Sequence, residues 1–497
     1  MTATLVRAGA MITRSLDRTH CETIADGAFV QEDGVIVETG THAALSARYR
    51  DMPVIGAAGD VMLPGFVNAH HHVGLTPFQL GAPDLPLELW AVARMAARDV
   101  DPYLDTLYSA FEMIASGVTT VQHIHDAVPG TPDAIRARLD AVARAYEDIG
   151  MRASICYGFD DQNRFANMPD ADFLARLPAD LAARLAEGLA GIEVGIEENV
   201  AIFEAMHAEK RGSRRIRVQL APANLHWCSD RALERLSETA RAHGVPLHMH
   251  LLETPYQRDY GFTRNDGGAF RHLERFGLQG PHMTIGHAVW FGPEDIERAA
   301  ETGTSICHNC SSNFRLRSGR APLRAFEAAG INVAIGIDEA GLNDDRDMLQ
   351  EMRLVLDAHR RPGPEEDAPG VGQVLRMATE GGARTTAFGE TIGVIAPGRA
   401  ADVTLFDLDA IAHPYLDPAV PLADAVLRRA KSRHVRLVMC DGKVIYRDGR
   451  FTMVDRAAVL RELHDRMAAA LSADERDRRD LARALLPHVR GALGGEP

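Results

Sequence analysis

The chain has 497 residues, 46% of them hydrophobic, enough to bury a large core. Its formal charge is −15, from 69 acidic against 54 basic residues, which excludes a nucleic-acid backbone as the main partner, since that requires a basic surface. No apolar run reaches membrane-spanning length, Met1 to Ile12 lacks a signal-peptide pattern, and the six scattered cysteines fit free thiols in a reducing cytoplasm, the expected location.

Residues 1 to 60 read as short strands and turns. Ala28-Phe29-Val30 and Val35-Ile36-Val37 flank Glu32-Asp33-Gly34, a hairpin signal. Val61-Met62-Leu63 then leads through the Pro64-Gly65 break into Phe66-Val67-Asn68-Ala69 and three consecutive histidines, His70, His71 and His72. In a strand, alternate side chains share a face, so His70 and His72 point one way and His71 the other. Two neutral imidazoles on one face can grip a metal ion.

From about 61 to 390, helical stretches alternate with short apolar runs. Leu104 to Ser116, Ala134 to Glu147, Glu197 to Lys210 and Asp230 to His243 read as helices, the last capped by Ser229. Val118 to His123, Arg152 to Cys156, Ile216 to Leu220, Val245 to His250, Met283 to Gly286, Thr304 to Cys307 and Val333 to Ile337 read as strands. Alternating strands and helices imply parallel βα units. About eight of them predict an α/β fold, a (β/α)8 TIM barrel whose site lies at the carboxyl ends of the strands.

Past 390 the texture returns to β. Ala401 to Asp407 reads as a strand, and Cys440-Asp441-Gly442 as a hairpin turn between Val435 to Met439 and Lys443 to Tyr446. The predicted organisation is a composite β-sandwich from residues 1–60 and 391–455, a barrel over 61–390 and a helical extension over 456–497. Val459, Leu460, Leu463, Met467 and Leu471 give that extension an apolar face for the barrel or a second subunit.

The strand ends carry the chemistry. His70 and His72 follow the first barrel strand. His248-Met249-His250 ends another, with Glu253 three residues on; His287 follows Met283 to Gly286, and Asp338 follows Val333 to Ile337. A lone histidine after a strand is commonly a structural hydrogen-bonding group, and an aspartate there commonly caps a helix. Their joint placement on several strand ends argues for one centre.

These residues resemble the metal-dependent amidohydrolase superfamily, and its single-metal aminohydrolase branch: adenosine-derivative, cytosine and guanine deaminases and triazine hydrolases. The resemblance spans nearly the whole chain. It includes Pro64 to Asn68, Ser116-Gly117-Val118-Thr119-Thr120, His250-Leu251-Leu252-Glu253, His308-Asn309, Ser311-Ser312-Asn313, Gly336-Ile337-Asp338 and the return from Gly393 to Asp402. It implies His70, His72, His250 and Asp338 as ligands of one divalent metal per chain, Zn²⁺ or alternatively Fe²⁺. It also implies metal-activated hydroxide attacking a C–N bond of a nitrogen heterocycle with release of ammonia. Glu253, His287 and Asp338 would be the catalytic groups. No lysine stands where a bridging carbamate would need one, in keeping with one metal rather than two. Hydrolysis of an amide, urea or carbamate C–N bond, or of a ring C–Cl bond, remains the alternative.

Glu88, Trp90, His125, Asn224, His226 and Asn313 are the expected substrate-binding residues, Trp90 by stacking on a heterocycle. His123 and His125 imitate a further metal pair, but the resembled branch has no ligands there. Cys307-x-x-Cys310 lacks a partner pair and reads as structural, and the acidic run Glu339 to Asp345 is expected to narrow or repel part of the pocket. The expected partner is a small-molecule substrate, with no membrane and no nucleic acid. Relatives of this kind are commonly dimers or tetramers, so a homo-oligomer, such as a homodimer, is expected.

Overall fold

The computed structural model describes residues 3–72, 74–125, 130–190, 194–364 and 369–494, the side chains of 188–190 excepted. Eight strands form one sheet in sequential order: β1 (Phe66–His71), β2 (Val118–His125), β3 (Arg152–Phe159), β4 (Ile216–Pro222), β5 (Leu247–Leu251), β6 (Met283–His287), β7 (Ser305–His308) and β8 (Val333–Ile335). Every pairing in it is parallel. The strands are almost wholly buried, as expected when helices cover the outside and side chains fill the inside.

The seam between β1 and β8 is closed by the site itself. Asp338 N–H donates to the His70 carbonyl at 2.8 Å. Asn68 Oδ1 accepts Ile337 N–H at 3.0 Å. The connecting helices start and stop where their residues dictate. Ser229 accepts Ala232 N–H to cap Asp230–His243, and the helix ends at Gly244 in the left-handed conformation.

Strands from the two chain ends share a seven-stranded sheet. In it Asp60–Pro64 pairs antiparallel with Val403–Asp407 and parallel with Ala10–Ser15. A four-stranded sheet from the first 55 residues faces it across a core containing Val6, Met11, Phe29, Met62, Val403 and Leu405. Val61 to Pro64 therefore lies in the mixed sheet, four residues past the edge read from sequence, and the chain crosses into the barrel at Gly65. A side chain there would collide with Thr119, whose Oγ1 lies 2.2 Å from the position of a Cβ.

The carboxyl-terminal extension forms two helices, Arg456–Ala468 and Ala473–Ala492. Val459 and Leu463 of the first join the main core. Leu485 and Val489 of the second pack with Leu89 and Val92 of helix Leu87–Arg94, which flanks the barrel mouth. No helix among the described residues is long and apolar enough to cross a membrane.

Candidate metal centre

Three strand ends, those of β1, β5 and β8, bring His70, His72, His250 and Asp338 together. His72 Nε2 lies 3.1 Å from His70 Nε2 and 3.2 Å from His250 Nε2. Asp338 Oδ1 lies 3.3 Å from His72 Nε2 and 3.5 Å from His70 Nε2. The outer nitrogens fix the tautomers. His72 Nδ1–H donates to the Ile124 carbonyl at 3.0 Å, and His250 Nδ1–H to the Ala223 carbonyl at 2.8 Å, so both Nε2 lone pairs point inward.

His70 reaches the same state through a relay. Its Nδ1 lies 2.8 Å from His248 Nε2, and His248 Nδ1 meets the Gln122 side-chain amide. When the Gln122 oxygen, which has no other partner among the described residues, accepts His248 Nδ1–H, His70 Nδ1–H can donate to His248 Nε2. Burial holds all three rings neutral: it lowers His70 to about 4 and pushes His250 and His248 well below their ordinary value. Burial alone would raise Asp338, but the rings of His70, His72 and His287 outweigh it and hold the carboxylate well below its usual range. Three lone pairs and a carboxylate at these separations repel one another unless a cation lies among them. Donors at zinc bonding distance in tetrahedral array are about 3.3 Å apart. The donor set fits a divalent metal of the zinc class.

Two backbone features make this approach possible. Asp338 and His287 hold φ of +65° and +70°, a strained region for residues with a Cβ. At Gly336 a Cβ would sit 2.4 Å from both His70 Cβ and Asn309 Oδ1, so only glycine lets β8 pass that close to β1.

Glu253 and His287 border the centre. His287 Nε2 lies 3.6 Å from both Glu253 Oε2 and Asp338 Oδ2. Its Nδ1–H donates to Asn313 Oδ1 at 2.9 Å, and its Nε2 accepts Asn309 Nδ2–H at 3.3 Å. The Ser312 hydroxyl donates to Asp338 Oδ2 at 2.6 Å, and the Ser318 hydroxyl to Glu253 Oε1 at 3.1 Å. Burial, reinforced by the charge of Asp338, raises the Glu253 carboxyl to about 7 against the opposing pull of His287 and Ser318. Glu253 can therefore hold or release a proton near neutrality.

A cavity of about 350 Å³ opens onto His72, His250, Glu253, His287 and Asp338. Its walls carry Trp90, Tyr157, Phe159 and Trp227, with Arg94, Arg164, Asp160 and Glu339 as the charged groups. Among the expected substrate-binding residues only Trp90 lines it. Glu88 stands beside it, accepting the Thr254 hydroxyl at 2.5 Å. Asn313 is taken up by His287. His125 points away: Gln122 and Ile124 face the barrel interior, so alternation sends His123 and His125 to the helix side, where His123 Nδ1 meets the Tyr146 hydroxyl at 2.8 Å. Asn224 and His226 are buried beside the cavity without lining it. Asn224 Oδ1 accepts Leu225 N–H, and the His226 ring packs on Trp227 at 4.4 Å.

The acidic run after Asp338 does not present a repulsive wall. Glu339 pairs with Arg94 at 3.0 Å, and Asp344 pairs with Arg315 at 3.0 Å while accepting the Thr76 hydroxyl. His248, Gln122, Ser312 and Ser318 hold the centre from outside the expected set of site residues. His248 carries a signal as the other half of the His-x-His that ends β5, and Ser312 as part of Ser311-Ser312-Asn313, whereas Ser318 carries none.

The family profile of the amidohydrolase family matches residues 61–445. A 5′-deoxyadenosine deaminase of Methanosarcina mazei is 30% identical over 446 residues, 88% of this chain and 92% of that protein. An adenosine deaminase of Xanthomonas campestris with bound zinc superposes with a TM-score of 0.77 at 25% identity, over 96% of this chain and 98% of that one. The zinc complex of the atrazine chlorohydrolase TrzN of Arthrobacter aurescens superposes with a TM-score of 0.80 at 23% identity, over 93% and 99%.

Proposed function

The chain belongs to the amidohydrolase family, and from that premise we propose that it is a metal-dependent aminohydrolase that removes the exocyclic amino group of an adenosine-like nitrogen heterocycle as ammonia. His70, His72, His250 and Asp338 would hold one divalent cation. Bound there, that cation would supply water ionised near neutral pH.

The observation that carries the reading is Glu253. It is a buried carboxyl raised to about 7, facing the cavity beside His287 and Asp338. An aromatic C–NH2 carbon resists attack until the adjacent ring nitrogen is protonated, and a neutral carboxyl in that position can deliver the proton. Asp338, kept ionised, accepts a proton from the attacking water. His287, locked by Asn313 and Asn309, orients the same water through Nε2. As the tetrahedral carbon collapses, the proton held by Asp338 passes to the amino group, the C–N bond breaks to release neutral ammonia, and the now-ionised Glu253 takes the proton of the new hydroxyl as it becomes the ring carbonyl. Trp90 offers a flat apolar face for the ring. The relatives named for adenosine derivatives support that substrate class.

The test is ammonia release from zinc-loaded protein offered adenosine, 5′-deoxyadenosine, guanine, cytosine, pterins and aminotriazines, with Glu253→Gln as control. Ammonia from an adenosine derivative, lost in the variant, is expected. Metal-loaded protein that releases ammonia from none of them overturns the reading.

A further inference from the structure

A second cluster of metal-ligating side chains lies outside the cavity, on the helix side of the barrel. On β7, alternation turns Cys307 inward, against Ala69 and Ala334, and His308 outward. His308 Nε2 meets His359 Nε2 at 2.9 Å. Cys310, at the start of the helix Cys310–Arg315, brings its sulfur into the same group, and one ligand atom from each of the three lies within 4.8 Å of the others. All three residues are at most 4% exposed. None lines the cavity.

We propose that His308, Cys310 and His359 form a second, buried site for a thiolate-binding transition cation, Zn²⁺ or Cu⁺, which ties the end of β7 to the helices Cys310–Arg315 and Met348–Ala358. Two imidazole nitrogens and one thiolate are a donor set such ions accept in tetrahedral or trigonal array. Between the two rings a single proton now suffices for an N–H···N contact; a cation in its place uses both lone pairs at once. Binding is balanced by loss of the thiol proton: the Cys310 S–H bond breaks, the sulfur–metal bond forms and the proton goes to solvent. Charge also balances. Two neutral imidazoles and one thiolate leave Zn²⁺ with one positive charge; the buried carboxyl of Glu351, which accepts Ser311 N–H at 3.0 Å, faces Cys310 and is raised to about 7 by burial, supplies the compensating negative charge when it ionises beside the cation and gives its proton to solvent. Arg320, which donates to the Ala358 carbonyl beside His359, is exposed and screened by solvent.

Sulfur separates this site from the catalytic one, whose donors are nitrogen and oxygen only. The full chain, stripped of metal, is titrated with Co²⁺. The expected result is a thiolate-to-cobalt charge-transfer absorption saturating at about one equivalent per chain, with about two equivalents bound in all. Cys310→Ser should abolish the absorption and keep about one equivalent, and His359→Gln should weaken the absorbing site at least tenfold. The wild-type and His359→Gln titrations decide the matter even if Cys310→Ser does not fold. Parallel loading with Zn²⁺ and Cu⁺, followed by metal analysis, tells the two cations apart. Absence of the absorption in wild type, or its survival in Cys310→Ser, overturns the proposal. Neither result depends on ammonia release, so this site and the proposed activity stand or fall separately.

Discussion

The backbone N–H of Asp338 donates to the backbone carbonyl of His70 at 2.8 Å, so the bond that closes the barrel also sets the distance between two side chains of the candidate metal centre. Asn68 reinforces it, accepting Ile337 N–H at 3.0 Å from a fully buried position. Asn68→Ala should leave that amide unsatisfied and cost about 1–3 kcal/mol. Equilibrium unfolding measures the loss, and metal analysis should show weaker metal retention at the same time. A variant with wild-type stability and metal content would mean the seam is held by other contacts.

Gly336 makes the same point by sterics. Gly336→Ala places a carbon 2.4 Å from His70 Cβ, which the seam cannot absorb without moving β1. Loss of the nitrogen–oxygen metal equivalent is expected, read by metal analysis on folded protein, with a fall in activity of at least a hundredfold.

Glu253 gives a pH prediction with a definite sign. Its ordinary value is 4.5, and burial raises it to about 7. The folded chain therefore keeps a proton that the unfolded chain gives up between those values. The associated stability is complete below about 4.5 and is lost as pH rises through about 7. Glu253→Gln, which stays neutral, should gain on wild type in metal-free protein from pH 5 to pH 8, by up to roughly 3 kcal/mol. Denaturant unfolding across that range is the measurement; a constant difference would show that Glu253 does not titrate there. Activity should move oppositely, with the variant at least a hundredfold slower throughout.

Asn313 acts through His287. Asn313→Ala should lower kcat about ten- to a hundredfold with little change in KM, because ring orientation is lost while the cavity wall is kept. Asn313→Asp, which retains the acceptor, should recover much of the rate. An increase in KM alone would mean that Asn313 contacts the substrate.

Trp90 should show the opposite split. Trp90→Ala removes a flat wall of the cavity and should raise KM by about tenfold or more, with a smaller effect on kcat. Steady-state kinetics on the adenosine derivative that releases ammonia decides it.

The residues of the candidate metal centre are legible in the sequence because parallel strands carry their chemistry at their carboxyl ends. A histidine or aspartate just after an apolar run is therefore placed before any coordinates are known. Alternation similarly separated His70 and His72 from His71. The same alternation turns His125 away from the cavity, because Gln122 and Ile124 form the inward pair of β2. What only the tertiary structure decided depends on contacts between distant segments. Asn313 meets His287 because the helix Cys310–Arg315, which follows β7, brings it to the end of β6. Glu339 is neutralised because Arg94, 245 positions earlier, lies across the mouth from it. Val61 to Pro64 left the barrel for the mixed sheet because its partners, Val403–Asp407, come from the other end of the chain. Periodicity and strand-end position are local properties of a sequence. Which side chain satisfies which buried polar atom is settled only when the barrel closes.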